Sequence, residues 1–178
     1  MRLGAVALGV VVVLASSTRS AMAQKEKDLL EIQYVIATMT EKDSGMVKWF
    51  SEAYGYAVFP NVGKGGLGVG AAHGNGIVFR AGNPVGKTEL TAITVGLQAG
   101  GQSFVEVIFF KDKTALDDFT RGNFEFGARA SAVAFSAGAS ADLAYNGGVA
   151  VVTMTKGGLM YEATIGGQKF AYSAYETP

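Results

Sequence analysis

Residues 81–96 read AGNPVGKTELTAITVG, and whether the chain coils or extends after Lys87-Thr88 decides the fold. With Ala81 standing at the first glycine position, the stretch has the spacing of a phosphate-binding loop: four residues, then Gly86, Lys87 and Thr88. That chemistry requires a helix directly after the Lys-Thr pair, because loop amides and the helix N-terminus together hold the phosphates. Here the chain continues with Thr91, Ile93, Thr94 and Val95 in period-two alternation, the pattern of a strand. Pro84 also removes one amide donor. The stretch therefore predicts a hairpin connection turning at Asn83-Pro84, and no nucleotide. Upstream, Gly63, Gly65 and Gly68 have the spacing of a dinucleotide fingerprint. They fail the same test, since the glycines alternate onward to Gly74 and into another strand rather than opening a helix.

Outward from this point the texture is that of strands. YAVFP (56–60) reads as a short buried strand ended by Pro60, and GLGVGAAHG (66–74) alternates glycine with larger residues. GIVFRA (76–81), ELTAITVGLQAGGQ (89–102) and FVEVIFF (104–110) follow as strands. After one interruption come FEFGARASAVAFSAG (124–138), GVAVVTMT (148–155), GLMYEATI (158–165) and KFAYSAY (169–175). Gly166-Gly167 between the last two suits a two-residue hairpin turn. The chain holds 25 glycines, many inside strand patterns. Small side chains on one face let a second layer approach closely and permit strong bending. The expected fold is α+β: a strongly bent, glycine-rich antiparallel sheet or small barrel, with N-terminal helices and one short inserted helix.

The helices are legible by periodicity. In residues 25–41, Leu29, Ile32, Ile36 and Met39 recur at steps of three and four, with Val35 alongside. Ser44 is positioned to cap a second helix, GMVKWFSEAY, with Met46, Val47, Phe50 and Ala53 on one side and Gly55 at its end. In KDKTALDDFTRG, Thr114 stands three residues before Asp117, close to a capping box; Leu116 and Phe119 share a face, and Gly122 stops the helix.

The first 23 residues have the form of an export signal: basic Arg2, an apolar run too short to cross a bilayer comfortably, then Ala21-Met22-Ala23 as a small-x-small cleavage site. The expected domains are a signal peptide over 1–23 and a single domain over 24–178, with a helical segment at 25–54 and a β-rich body at 56–175. The expected location is the periplasm or outside the cell, peripheral to a membrane. Cysteine is absent, which removes disulfides, thiolate metal sites, cysteine nucleophiles and lipidation at the signal's end. Loss of Arg2 and Arg19 with the leader leaves 13 basic and 15 acidic residues, a net charge of −2. Such a chain, without a basic run, does not suit general nucleic-acid binding. Attraction to anionic lipid would need a local patch.

No catalytic constellation stands out. His73 is the single histidine, with no cysteine or sequence-adjacent carboxylate to complete a metal site. Asp117 and Asp118 are adjacent in a helix and point apart, and the serine-nucleophile elbow pattern is absent. The expectation is a protein that is not an enzyme and takes no cofactor or metal. MVKWFSEAYGY (46–56) has two readings. Trp49, Phe50, Tyr54 and Tyr56 with Lys48 form either an interfacial anchor or the rings that pack helix onto sheet. Lys64, among donor-rich glycines, suits a phosphate head group.

The blocks YAVFPNVGKGGLGVGAAHGNGIV, TVGLQAGGQSFVEVIFFKDKTALDDF and GVAVVTMTKGGLMYEATIGG together resemble the SYLF domain, also called the Ysc84 actin-binding domain. The resemblance runs from about Leu29 to Tyr172. It rests on Phe59-Pro60, Lys64-Gly65-Gly66, Gly68, Gly70, Gln98-Ala99-Gly100 with Gln102, the Leu116/Phe119 helix and Gly157-Gly158-Leu159-Met160. It implies a lipid-binding module: eukaryotic members bind phosphoinositides and other anionic membranes, and some bind and bundle actin. Bacterial members are exported proteins or lipoproteins, and this chain lacks the lipoprotein cysteine. The implied function is reversible binding of anionic, phosphoinositide-type phospholipid head groups in a bacterial envelope, with Lys48, Trp49, Lys64 and Arg80 as lipid-binding residues. The alternative is a structural or interaction protein of the envelope without a lipid ligand, whose partner is a second copy or another envelope protein.

Overall fold

The computed structural model describes the backbone of residues 5–122, 124–127, 130–156 and 163–175, and the side chains among them outside 5–21, 67–68, 94–101 and 163–164. Helix α1 runs Ala5–Lys42 and α2 Gly45–Glu52. Strands β1 (Gly55–Arg80) and β2 (Asn83–Phe110) form one long hairpin, followed by α3 (Lys113–Thr120). Short strands β3 (Phe124–Glu125) and β4 (Ser131–Ala134), a 3-10 turn at Ala139–Ala141, and β5 (Val149–Thr155), β6 (Ala163–Thr164) and β7 (Lys169–Ala174) complete the chain. The α+β expectation holds, as does the curled sheet with helices at its N-terminal end.

The decisive stretch is extended. Lys87 and Thr88 lie inside β2, paired with Ile77 and Gly76 of β1 on one side and with Ser173 and Tyr172 of β7 on the other. Thr88 is buried, and its hydroxyl donates to the Ala171 carbonyl at 2.9 Å. The turn, however, is at Ala81-Gly82 rather than Asn83-Pro84. Both residues have positive φ, 49° and 77°, and Arg80 pairs with Asn83 across them. A two-residue hairpin loop with that geometry matches the twist of its strands, which an Asn-Pro turn with fixed negative φ at proline does not. Pro84 instead pairs with Phe79 beside a register shift.

Strands expected as separate units are therefore continuous. Pro60 does not end a strand. It sits at a register shift between Phe59 and Val62, where a bulge absorbs the missing ladder bond and bends β1. A second shift lies between Leu67 and Gly68. Through these bends β1 doubles back on itself. A Cβ on Gly76 would lie 2.7 Å from the Val58 carbonyl oxygen and 2.8 Å from the Phe59 ring. Only a residue without a side chain permits that approach, and this is the physical use of glycine inside a strand here.

β2 is the spine of the sheet. β1 flanks it, while β7 takes its first part (Gly86–Thr91) and β5 its last (Phe104–Phe110) on the other edge. The strand order is β3-β7-β2-β5-β4-β6, with β1 also on β2. One pairing is not antiparallel: β4 runs parallel to β5, with Val133 opposite Val152. The long small-residue stretch 124–138 yields only β3 and β4 among the described residues. Gly166-Gly167 does form a turn, closed by Gln168 N–H donating to the Ile165 carbonyl at 3.2 Å. It joins no hairpin, because β6 pairs with β4 while β7 pairs with β2 and β3.

Two cores lie on opposite faces of β2, as strand alternation dictates. Val105, Val107 and Phe109 face the helices, packing with Ile32, Val35 and Met39 of α1 and Met46 of α2. Phe104, Ile108 and Phe110 face the inside of the curl with Phe59, Phe119, Phe126 and Phe170. Burying each such side chain contributes about 1.5–3 kcal/mol. The amphipathic helix read at 25–41 is the C-terminal part of α1. Val47, expected on the buried side of α2, is 54% exposed.

The helix caps differ from expectation. Ser44 makes no side-chain cap bond; instead Asp43, one position earlier, accepts at Oδ1 from the Gly45 amide at 3.0 Å. Thr114 is inside α3, whose cap is Asp112, accepting from the Ala115 amide at 3.0 Å. In both places a carboxylate takes the orphan amide that a hydroxyl was expected to take. α2 ends at Glu52, with Ala53 extended, so Gly55 opens β1 rather than stopping the helix. Gly122 does follow α3, at φ 88°. Among the described residues no helix is long and apolar enough to cross a membrane.

Candidate functional site

The corner between α2, the 3-10 turn and the end of β2 is built around Asp43. This buried carboxylate accepts from the Ser140 amide at 2.7 Å and from the Ser140 hydroxyl at 2.8 Å, besides the Gly45 amide. The Ser140 amide above all, then its hydroxyl, hold the Asp43 carboxyl below its ordinary value; burial opposes them without prevailing. The clamp ties the α1–α2 junction to a loop 97 residues away in sequence.

Trp49 depends on the same loop. Its indole N–H donates to the Ser140 carbonyl at 3.2 Å, and its ring packs on Phe109 and Tyr145 with centroids 5.4 and 5.0 Å apart. Both readings of Trp49 meet here. Its inner face joins the helix-side core, and its outer edge lines a cleft. Phe50 and Tyr56 belong wholly to the packing role: Phe50 meets Tyr56 at 5.2 Å and Phe109 at 5.1 Å.

The cleft has a volume of about 450 Å³ and is lined by Lys48, Trp49, Glu52, Lys111, Ser140 and Tyr145, among others. That size is within the ordinary range for small-ligand sites. Lys48 lies 3.9 Å from Glu52 and is well exposed, a pair worth little in water. Lys111 follows β2 directly, is exposed, and forms no ion pair with the described residues. Burial, then the nearby Glu52 charge, raises the Tyr145 hydroxyl above its ordinary value, so it remains a neutral donor.

Of the four residues expected to bind lipid, the structure gathers Lys48 and Trp49 in this cleft. Arg80 stands exposed at the hairpin turn, and Lys64 lies beyond the Pro60 bulge opposite Gln102; neither lines the cleft. Sequence reasoning missed Lys111, Tyr145 and the Asp43–Ser140 clamp. Lys111 and Tyr145 carry no local motif, and only the fold brings them beside α2. The "KDSG" break at 42–45 was a visible signal for Asp43.

The remaining polar candidates pair at the surface. His73 Nδ1 lies 3.5 Å from Glu89 Oε1, a carboxylate supplied by the β1–β2 register rather than by sequence proximity. Asp117 and Asp118 pair separately with Lys113 and Arg121. Among the described residues no group of three or more His, Cys, Asp or Glu side chains is arranged to hold a metal.

Residues 91–176 match the family model Ysc84, described as Las17-binding protein actin regulator. Over 148 residues the chain is 32% identical to "Beta cell expansion factor A" of Aeromonas veronii. The match covers 76% of this chain and 56% of that protein, so the chain spans little more than half of its relative's length. Over residues 91–176 the chain is thus similar to the Ysc84 (SYLF) family, in line with the resemblance carried by its glycine-rich blocks.

Proposed function

We propose that the chain is a non-enzymatic binding module that reversibly takes anionic, phosphoinositide-type phospholipid head groups in the α2 cleft. The observation that carries this is the convergence of Lys48, Lys111, Trp49 and Tyr145 on one opening. Two ammonium groups suit a phosphate. The indole edge and tyrosine ring suit the boundary between head group and acyl chain. The family description names a binding role, which supports a binding module over an enzyme. Each lysine near an anionic surface contributes about 1 kcal/mol, screened by salt. Lys64 and Arg80 stand outside the cleft and add long-range attraction only. Export under the 1–23 leader and a peripheral place on the envelope membrane belong to the same proposal, checked by N-terminal sequencing of the protein from a periplasmic fraction.

The test is co-sedimentation with phosphatidylglycerol, phosphoinositide-containing and neutral phosphatidylcholine vesicles at low and physiological salt. Binding to the anionic vesicles, weakened roughly fivefold by each of Lys48→Ala and Lys111→Ala, is expected from the contribution above. Equal absence of binding to all three sinks the proposal. A second reading, an interaction protein without a lipid ligand, draws on the exposed Leu30 and Tyr34 of α1 and on Val69 and Ile93 of the hairpin. Light scattering distinguishes it: a stable oligomer indifferent to vesicles favours this alternative.

A further inference from the structure

Glu106 is fully buried in the middle of β2, on the face that carries Phe104, Ile108 and Phe110 into the curl. Its ladder partners are Phe59 on β1 and Thr153 on β5. Gln168, at the end of the turn from Ile165, donates its Nε2 to Glu106 Oε2 at 2.9 Å. Three oxygens of this trio have no hydrogen-bond partner among the described residues: Glu106 Oε1, Thr153 Oγ1 and Gln168 Oε1. The side chains sharing its face are the apolar Phe104, Ile108 and Phe110 of β2 and Phe59 of β1, and apart from the Gln168 amide no charged or titratable group from β1, β5 or the turn acts on the carboxyl. An ionised carboxylate held there by one amide is among the costliest arrangements a core can contain.

We infer that Glu106 carries a proton while the curl is closed, and that its loss loosens the seam formed by the Ile165–Gln168 turn. A proton on Glu106 removes the charge from a buried carboxyl that a single amide, Gln168 Nε2, meets among the described residues. The seam is held by the Phe126 amide donating to the Gln168 carbonyl at 3.0 Å, the Gly167 amide to the Phe126 carbonyl at 2.9 Å and the Ile165 amide to the Ala130 carbonyl at 3.3 Å, with the Ile165 and Phe126 side chains buried. Phe126, Val151 and Ile165 also form one wall of a surface cavity of about 760 Å³, so loosening this turn gives water a route to the carboxylate.

Burial pushes the Glu106 carboxyl up to about 7 from an ordinary 4.5, with the Gln168 amide opposing. The folded state therefore binds the proton more tightly than the unfolded chain. The stabilisation is complete below about 4.5 and is lost as pH rises through about 7. Between pH 5 and 8 the folding constant should fall by about a hundredfold.

The test is urea unfolding of the full chain and of Glu106→Gln from pH 5 to 8. Expected is a steep loss for the wild type, a nearly flat profile for E106Q, and E106Q the more stable at pH 8. Parallel slopes in both proteins overturn the inference. Should E106Q not fold, hydrogen exchange on the wild type decides. Corrected for intrinsic rates, the Phe126 and Gly167 amides should exchange faster at pH 8 than at pH 6; equal protection overturns it. Vesicle binding enters neither measurement, so the outcome is separate from that of the lipid proposal.

Discussion

Two buried carboxyls, one on each side of the sheet, have opposite fates. Asp43, at the helix-side corner, is met by the Gly45 amide and by both the amide and hydroxyl of Ser140, and is held ionised. Glu106, inside the curl, is met by one side-chain amide and is pushed toward the neutral form. Burial alone does not set the charge of an acid; the number of donors aimed at it does. Donors are plentiful where a helix start and a tight turn present free backbone amides, as at α2 and Ala139–Ala141. They are scarce in the middle of a ladder, where every amide is already bonded across strands. The corner can therefore hold an open cleft beside an ionised acid, while the curl's interior disfavours the charged form of Glu106.

The largest blow to this contrast is Phe109→Ala. Phe109 is fully buried and touches Trp49, Phe50 and Tyr56, so its loss should destabilise the fold by about 3–5 kcal/mol in urea unfolding and weaken vesicle binding with it. Next stands Asp43→Asn, which sharpens the comparison through pH. The depressed Asp43 value means its stabilisation is present above about 3.8 and lost as pH falls through the lower folded value. The variant should show a flattened acid limb below pH 4 while keeping the Glu106 decline above pH 5. An unchanged acid limb would remove Asp43 from the account. Gly76→Ala probes the curl, where the new methyl meets the Val58 carbonyl. A loss of about 1–3 kcal/mol is expected by chemical denaturation. A G76A variant as stable as the parent would mean the layers are not in that close contact. The smallest change is a gain: Ala81→Gly relieves the positive φ at the hairpin turn and should stabilise by up to about 1 kcal/mol, visible as a raised Tm.

The strand after Lys87-Thr88 was legible because period-two alternation of β-branched residues is a local signal. The stripe Leu29, Ile32, Ile36 and Met39 with Val35, and the Leu116/Phe119 face, were legible for the same reason: Ile32, Val35, Met39, Leu116 and Phe119 are buried, and Leu29 and Ile36 partly so. The turn was misplaced by two residues because Pro84 is a strong turn signal, whereas an alanine at positive φ is a weak one. Lys48 and Trp49 could be found because they are neighbours in sequence. Lys111 and Tyr145 could not, because their proximity to α2 is a product of packing alone.

By itself, the order of residues determined which segments coil and which extend, the absence of a phosphate loop, and the family resemblance. These follow from short-range sterics and from the spacing of apolar side chains. Tertiary structure alone decided that β1 would double back on itself, that a lysine after β2 would face a tryptophan on α2, and that one buried acid would be held below its ordinary value and another pushed above it. Those outcomes depend on which donors and surfaces meet across tens of residues, and no local pattern encodes such meetings.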